Sequence, residues 1–284
     1  MNKHTYLSLF FLIIFSVSIS SQDNTIEEVI VTATKTEKTL QEVPVAVSVV
    51  TSDVIEKATI LDTFDLKSVI PSLDSRQYQS STNATFFIRG FGNGSNNPGV
   101  EPSVALFVDG VYRSKTQSQI SDLPMLERIE VLRGPQSTLF GKNASAGVIN
   151  IVTKKPSFEE STMISAGIGK YNSRVGKIYT TGPLSDTTAY SFNANFNKRD
   201  GHSDNPVTGN SVNNRDRFGI RAELLFVPAD DLSIRVTADY DEYDEICCAV
   251  GSTSYGTANV VTALFGGQII PCLLYTSPSP RDGR

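Results

Sequence analysis

The sequence predicts an α+β domain followed by antiparallel β-strands that each carry one apolar and one hydrophilic face. Three observations predict it. The stretch Leu126 to Thr153, LERIEVLRGPQSTLFGKNASAGVINIVT, alternates compact strands with glycine turns. After Lys154-Lys155-Pro156 the texture changes to an alternation of apolar and polar residues. Mean hydropathy is −0.12, far from that of a helical membrane protein. A transmembrane β-barrel has such a value too, because only alternate residues face lipid.

Within the central stretch, Arg128 to Leu132 reads as a strand, and Gly134-Pro135 forces a turn directly after Arg133. Pro135 sits where a helix can begin, since its missing N–H is no loss at the first helical position. Gly141 stands where such a short helix ends, and Gly147 opens the β-branched run Val148 to Thr153.

Bulk composition removes several function classes. The 284 residues carry a net charge of −5, which offers no strong attraction to nucleic acid. Two histidines and three cysteines leave little material for a metal site or histidine catalysis. No Ser/His/Asp or paired-carboxylate constellation is visible, so no catalytic residue, cofactor or metal is assigned. His202, in a polar loop, reads as solvated.

Taken in order, the chain opens with Lys3 and His4, then the apolar run Leu9 to Phe15, then Ser18 and Ser20 in a −3/−1 arrangement. That run falls short of the roughly 20 residues a membrane-spanning helix needs. It reads as a Sec signal peptide over 1–20, cleaved near Ser20-Ser21. Asp23 to Lys38 is polar and charged around one short core, Glu27 to Ala33. Val29, Ile30, Val31 and Thr32 are β-branched, so this peptide prefers an extended backbone, with no partner strand expected nearby. Pro44 to Val54 is an alternating strand with its proline where no ladder donor is needed. Thr51-Ser52-Asp53 supplies cap side chains for a short helix through Lys57. A second helix is expected around Leu61 to Val69, ending before Pro71, and a strand over Thr85 to Arg89. Gly90 to Gly99 is a glycine- and asparagine-rich loop without G-x-G-x-x-G spacing. Val104 to Tyr112 reads as a hairpin around Asp109-Gly110, a pair suited to two positive φ angles.

The ordered motifs Ile88-Arg89-Gly90, Val108-Asp109-Gly110-Val111-Tyr112 and the central Arg133-Gly134-Pro135 string resemble the plug domain of TonB-dependent outer-membrane receptors. Ala146 precedes Gly147 where many members carry two glycines. The resemblance implies an α+β plug over 41–156, preceded by a flexible segment 21–40 with a TonB box. The box is Glu28, Val29, Ile30, Val31, Thr32 and Ala33, captured by TonB through strand addition. It further implies that Arg89 and Arg133, with Glu130, form the plug latch, the arginines meeting glutamates of the barrel wall. Phe91, Asn93, Ser95 and Asn96 fall on the loop that, in the family, touches substrate.

The second half supplies wall strands. In Thr188 to Lys198, Tyr190, Phe192, Ala194 and Phe196 alternate with Ser191, Asn193, Asn195 and Asn197. Arg217 to Phe226 repeats the pattern, and Leu232 to Tyr240 is the cleanest case. Thr162 to Gly169 and Arg174 to Thr181 fit less well. Connections 182–186 and 227–231 read as short turns and 200–216 as a long outer loop. A soluble sandwich shares this period; the plug motifs before it favour a barrel. Five candidate strands over 157–271 make the barrel incomplete, against about 22 in plugged transporters. Cys247-Cys248 falls in an expected outer loop, with a disulfide partner expected further along. Cys272 to Asp282, CLLYTSPSPRD, resembles a translated sequencing adapter, so 272–284 is read as a non-native tail.

The resemblance implies plug-gated, TonB-dependent uptake of a scarce nutrient such as a ferric siderophore, in the outer membrane of a Gram-negative cell. Partners would be TonB with its inner-membrane energising complex, outer-membrane lipid and a small-molecule substrate. The 284 residues alone are expected to be inactive. A passive porin-like or structural barrel needs neither plug nor TonB box, and a periplasmic enzyme lacks a catalytic constellation here.

Overall fold

A computed structural model describes residues 30–247, apart from 33–34, 37, 78–80, 82, 94–98, 120–121 and 205–208. The expectations for the signal peptide, Glu28, Val29, Ala33, Ser95, Asn96, Cys248 and the 272–284 tail lie outside those residues. The chain divides into two units, 1–43 and 44–284.

In the first unit, β1 (Ile30–Val31) pairs antiparallel with β2 (Lys38–Thr39), Ile30 opposite Thr39 and Val31 opposite Lys38. The expected absence of a partner strand is therefore corrected. The β-branched core folds back on the next extended residues, though over two residues only. A 3-10 turn, Leu40–Glu42, follows, and the Thr39 N–H donates to Glu42 Oε2 at 3.3 Å.

The second unit begins with the α+β domain. Its main sheet contains β3 (Val47–Thr51), β6 (Val104–Val108), β7 (Val111–Arg113), β8 (Leu126–Arg133) and β9 (Gly147–Thr153), in the order β3-β8-β9-β6-β7. All neighbours are antiparallel except β6 and β9, which run parallel from Val104 opposite Gly147. A separate hairpin joins β4 (Leu73–Gln77) to β5 (Ala84–Ile88). Val50, Leu66, Phe86, Ile88, Leu106, Ile129, Ile149 and Ile151 belong to one buried cluster. β9 is buried on both faces along most of its length, as its unbroken Val-Ile-Asn-Ile-Val run suggests.

Turn chemistry follows local rules. Asp109 and Gly110 both have positive φ, +49° and +81°, the geometry of a primed hairpin turn. Gly147 is required for a different reason: an added Cβ would lie 2.5 Å from both Ile88 Cδ1 and the Leu132 carbonyl oxygen. The helix α1 (Ser52–Lys57) forms as expected. Around Leu61 to Val69 only a 3-10 turn, Asp65–Ser68, is present. Asp62 and Asp65 accept hydrogen bonds from backbone N–H groups of this segment, which stabilises a tight turn in place of a longer helix. The helix α2 spans Ser137–Phe140, so it begins two residues after Pro135 and ends at Gly141.

Five long strands follow: β10 (Ser161–Gly169), β11 (Ser173–Ser185), β12 (Thr188–Arg199), β15 (Arg215–Ala229) and β16 (Leu232–Tyr243). They form one open antiparallel sheet in chain order. The long connection from β12 to β15 holds a small hairpin, β13 (Ser203–Asp204) with β14 (Ser211–Val212). The expected turns at 182–186 and 227–231 prove shorter, because the strands continue to Ser185 and Ala229. Register shifts near Pro183 and Pro228 accommodate residues that have no N–H to give the ladder.

The wall is inverted relative to a soluble sheet. Phe196 is 48% exposed while its neighbour Asn197 is 4% exposed. Phe192, Phe218, Leu224, Phe226, Ile234 and Val236 are likewise exposed, while Ser191, Asn193, Arg217 and Glu223 are buried. A soluble sandwich buries the opposite face. The α+β domain covers the polar side.

Candidate functional site

The seam between the α+β domain and the wall contains two ionic clusters. Each depends on alternation within β15, which sends Arg217, Arg221 and Glu223 to the same face.

The first cluster centres on Asp109. The primed turn brings its carboxylate to the end of β9, where Oδ1 accepts the Thr153 N–H at 2.9 Å and Oδ2 accepts the Thr153 hydroxyl at 2.7 Å. Arg221 Nη2 on β15 lies 2.6 Å from the same Oδ2, and Arg235 Nη2 on β16 lies 3.3 Å from it. Arg235 also donates to Thr153 Oγ1 at 2.6 Å. Glu223 joins the two arginines, 2.6 Å from Arg221 Nε and 2.9 Å from Arg235 Nη2. Two guanidiniums thus face the Asp109 and Glu223 carboxylates, and Asp239 Oδ1 lies 3.6 Å from Arg221 Nη1 at the more exposed rim. That pairing matters, because an unpaired charge in a site closed to water is costly.

The second cluster centres on Arg217. Its Nη1 lies 2.8 Å from Asp62 Oδ2 and 2.9 Å from Asp122 Oδ1. Its other edge holds Glu245, with Nε to Oε1 at 2.5 Å and Nη2 to Oε2 at 3.2 Å. Arg215 Nη1 adds a 3.0 Å contact to Asp62. The guanidinium carbon also sits 5.3 Å from the Tyr243 ring centre. Asp62 and Asp122 come together through an isolated antiparallel bridge, and the Leu123 N–H donates to the Leu61 carbonyl. Burial pushes the Asp122 carboxyl above the usual range, against the pull of Arg217. Burial and then the Asp62 charge push Asp65 up as well.

Strand geometry separates the clusters. Arg217 and Arg221 are four residues apart on β15, about 13 Å along the strand. Arg217 lies toward the end carrying the long β12–β15 connection, and Arg235 lies toward the tight turn Asp230-Asp231. Between the two elements is a cavity of about 170 Å³ with a mixed lining that includes Val108, Ile151 and Ile220 as well as Asn193, Asp239 and Asp241. Among the described residues, no group of three or more His, Cys, Asp or Glu is placed to hold a metal ion.

The residues singled out in the sequence are placed as follows. Ile30 and Val31 form β1, and Thr32 follows it. Arg89 is exposed, with φ +53°, and its N–H donates to the Ser72 carbonyl. Arg133 pairs with Gly147 across the sheet, and its Nε is buried without a hydrogen-bond partner. Neither arginine is in an ion pair among the described residues. Glu130 is fully buried and bonds within its own sheet, to Arg128 Nε at 2.7 Å and Asn150 Nδ2 at 3.2 Å. Phe91 is exposed, and Asn93 Nδ2 donates to the Glu101 carbonyl at 2.9 Å. Cys247 is disulfide-bonded. Among the described residues, the ion pairs between wall and domain run from wall arginines to Asp62, Asp109 and Asp122, and Lys177 Nζ adds a hydrogen bond to the Leu123 carbonyl at 2.8 Å. Sequence reasoning missed these aspartates. Asp109 was visible only as a turn residue.

A family model described as TonB-dependent Receptor Plug Domain matches residues 39–148. The chain carries a TonB-dependent receptor plug domain. Behind it stand antiparallel strands of an unclosed barrel wall, and its place is the outer membrane. The chain is 32% identical to the pesticin receptor of Yersinia pestis over 181 residues, covering 63% of this chain and 26% of the relative. It is 26% identical to the vitamin B12 transporter BtuB of Vibrio vulnificus, covering 81% and 37%. The structure of the ferric yersiniabactin uptake receptor FyuA from Yersinia pestis matches with a TM-score of 0.65 at 28% identity, over 69% of this chain and 31% of that one. The pyoverdine receptor FpvA of Pseudomonas aeruginosa, at 21% identity and a TM-score of 0.63, shares the fold. The chain thus spans about a quarter of the length of the pesticin receptor it matches.

Proposed function

We propose that the complete protein is an active outer-membrane importer whose plug is shifted by TonB to admit a scarce nutrient. One observation carries this reading: a plug sheet is seated by ion pairs on the polar face of a wall whose apolar face points outward. A passive porin has no use for such a seated domain. The relatives named for ferric yersiniabactin uptake and vitamin B12 transport support a large, rare solute, and a ferric siderophore is the substrate class proposed. The loop of Phe91, Asn93, Ser95 and Asn96 would meet it.

The TonB box is assigned to Glu28 through Ala33. Its two-residue pairing with β2 is a weak competitor, since each main-chain hydrogen bond is worth about 0.5–1.5 kcal/mol net. TonB can therefore displace β2 by offering a longer strand. Arg89, Glu130 and Arg133 stay assigned to the latch, with Arg89 and Arg133 presented toward wall strands further along the complete protein. The 284 residues alone would not transport, because the wall edges β10 and β16 need partners in lipid.

Replacing Val31 by Pro in the complete receptor removes a strand donor from the box. Energised uptake should be abolished while substrate binding to whole cells is unchanged. Normal uptake by Val31→Pro would refute the assignment.

A further inference from the structure

Among the described residues, Arg217 is the one wall side chain whose guanidinium is shared between plug segments and the stretch that follows β16. One Nη1 serves Asp62 and Asp122 of the plug, and the Nε/Nη2 edge is occupied by the Glu245 carboxylate. The side chain is nearly fully buried and packs over Tyr243. Glu245 itself lies in a knot of loop backbone at the same end of the wall. The Asp244 N–H donates to the Asp216 carbonyl, the Asn213 N–H to the Ile246 carbonyl, and the Ile246 N–H to Asn214 Oδ1. Arg199 Nη2 holds the Asn213 carbonyl at 2.8 Å. The β12–β15 connection and the start of the segment after β16 are thus bonded to each other one residue from Glu245, the partner of Arg217.

We propose that Arg217 couples these outer segments to the plug, with Glu245 as the positioning residue that aims the guanidinium at Asp62 and Asp122. The physical basis is the planar fork. Two contacts from Glu245 fix the guanidinium plane, and that plane sets where Nη1 points. A rearrangement that withdraws Glu245 frees the plane and weakens the hold on the plug, although Glu245 itself is bonded to Arg217. The outer segments therefore bias the plug at its outward edge, while the Asp109 cluster, deeper along the wall, does not share the guanidinium. On the receptor reading above, such a rearrangement is what substrate capture by outer loops would supply. The coupling itself requires neither substrate nor TonB.

The test is hydrogen exchange on the complete receptor in detergent, without substrate. Glu245→Gln keeps the side-chain shape and removes the charge. The expected result is exchange about fivefold faster or more at the plug amides of Leu61, Asp62 and Leu123, the scale of a coupling through a shared partner. Arg217→Lys, which keeps the charge but loses the fork, should give the same pattern. Lys198→Gln breaks an exposed pair with Asp216 on the same wall and should leave these amides unchanged. Unchanged plug exchange in Glu245→Gln, or equal acceleration in Lys198→Gln, would overturn the proposal. Uptake plays no part in this readout, so failure here is distinct from failure of the transport reading.

Discussion

Asp109→Asn is the sharpest probe of how the plug is seated. Asparagine preserves the size of the side chain and tolerates the positive φ of +49° at this position. Its amide oxygen can still accept the Thr153 N–H. What changes is charge: two guanidiniums, Arg221 and Arg235, are left facing Glu223 and the longer, half-exposed contact from Asp239. Removing one partner of a buried ion cluster costs about 3–5 kcal/mol. The Arg221 and Arg235 side chains retain 12% and 20% exposure, so the low end, about 3 kcal/mol, applies. Asp109→Ala adds about 1–2 kcal/mol for forcing a Cβ-bearing, non-bonding residue into the left-handed region. Native-state hydrogen exchange on the complete receptor would read this out over β6, β7 and β9. Asn should accelerate exchange roughly a hundredfold, since about 1.4 kcal/mol is a factor of ten. Alanine should do so more strongly. An effect below about threefold for Asn, or equal effects for Asn and Ala, would refute the idea that charge at Asp109 seats the plug.

Two further outcomes follow from packing and titration. Gly147→Ala puts a Cβ against the Leu132 carbonyl and Ile88, and the carbonyl cannot step aside without breaking the sheet. The plug should lose about 1–3 kcal/mol, measured as a lower urea midpoint for plug unfolding; an unchanged midpoint would contradict the clash. Asp65 has a carboxyl pushed above its ordinary 3.8 by burial and by Asp62. Such a raised group favours the folded plug fully below its ordinary value and loses that contribution as pH rises through the folded value. Asp65→Asn, which does not titrate, should therefore gain stability relative to the parent as pH rises from the ordinary value of 3.8 through the folded one, and a gain in the opposite direction would sink the argument.

What could be read from the sequence was what short-range physics governs. Asp109-Gly110 announced its turn through two demanding φ angles, and the alternation in 188–198 and 232–240 announced strands with opposite faces. Which face is buried became decidable only with the structure, since Phe196 outward and Asn197 inward is a fact about surroundings. The 3-10 turn at Asp65–Ser68 was missed because Asp62 and Asp65 turn their side chains onto nearby backbone, which apolar periodicity does not record. The seam was illegible for another reason. Arg217 and Asp62 stand 155 residues apart, and Arg221 and Asp109 stand 112 apart, so no local pattern links them. One clue existed: arginine and glutamate on the hydrophilic face of a strand need partners once that face is closed, and Arg221, Glu223 and Arg235 were all on it.

The parallel pairing of β6 with β9 fixes an order of assembly. β9 is the central strand, flanked by β8 and β6, and it is the last plug strand to be made. Until residues 147–153 arrive, the chain can hold only two half-sheets, β3 with β8 and β6 with β7, each with an open edge. Such edges invite pairing with other chains. Residues 154–160 then lead directly into β10, so the stretch that closes the plug is the one that starts the wall. During export the vulnerable interval ends as the first membrane strand emerges. A chain stalled just before residue 147 should be far more prone to aggregate than one stalled just after residue 153.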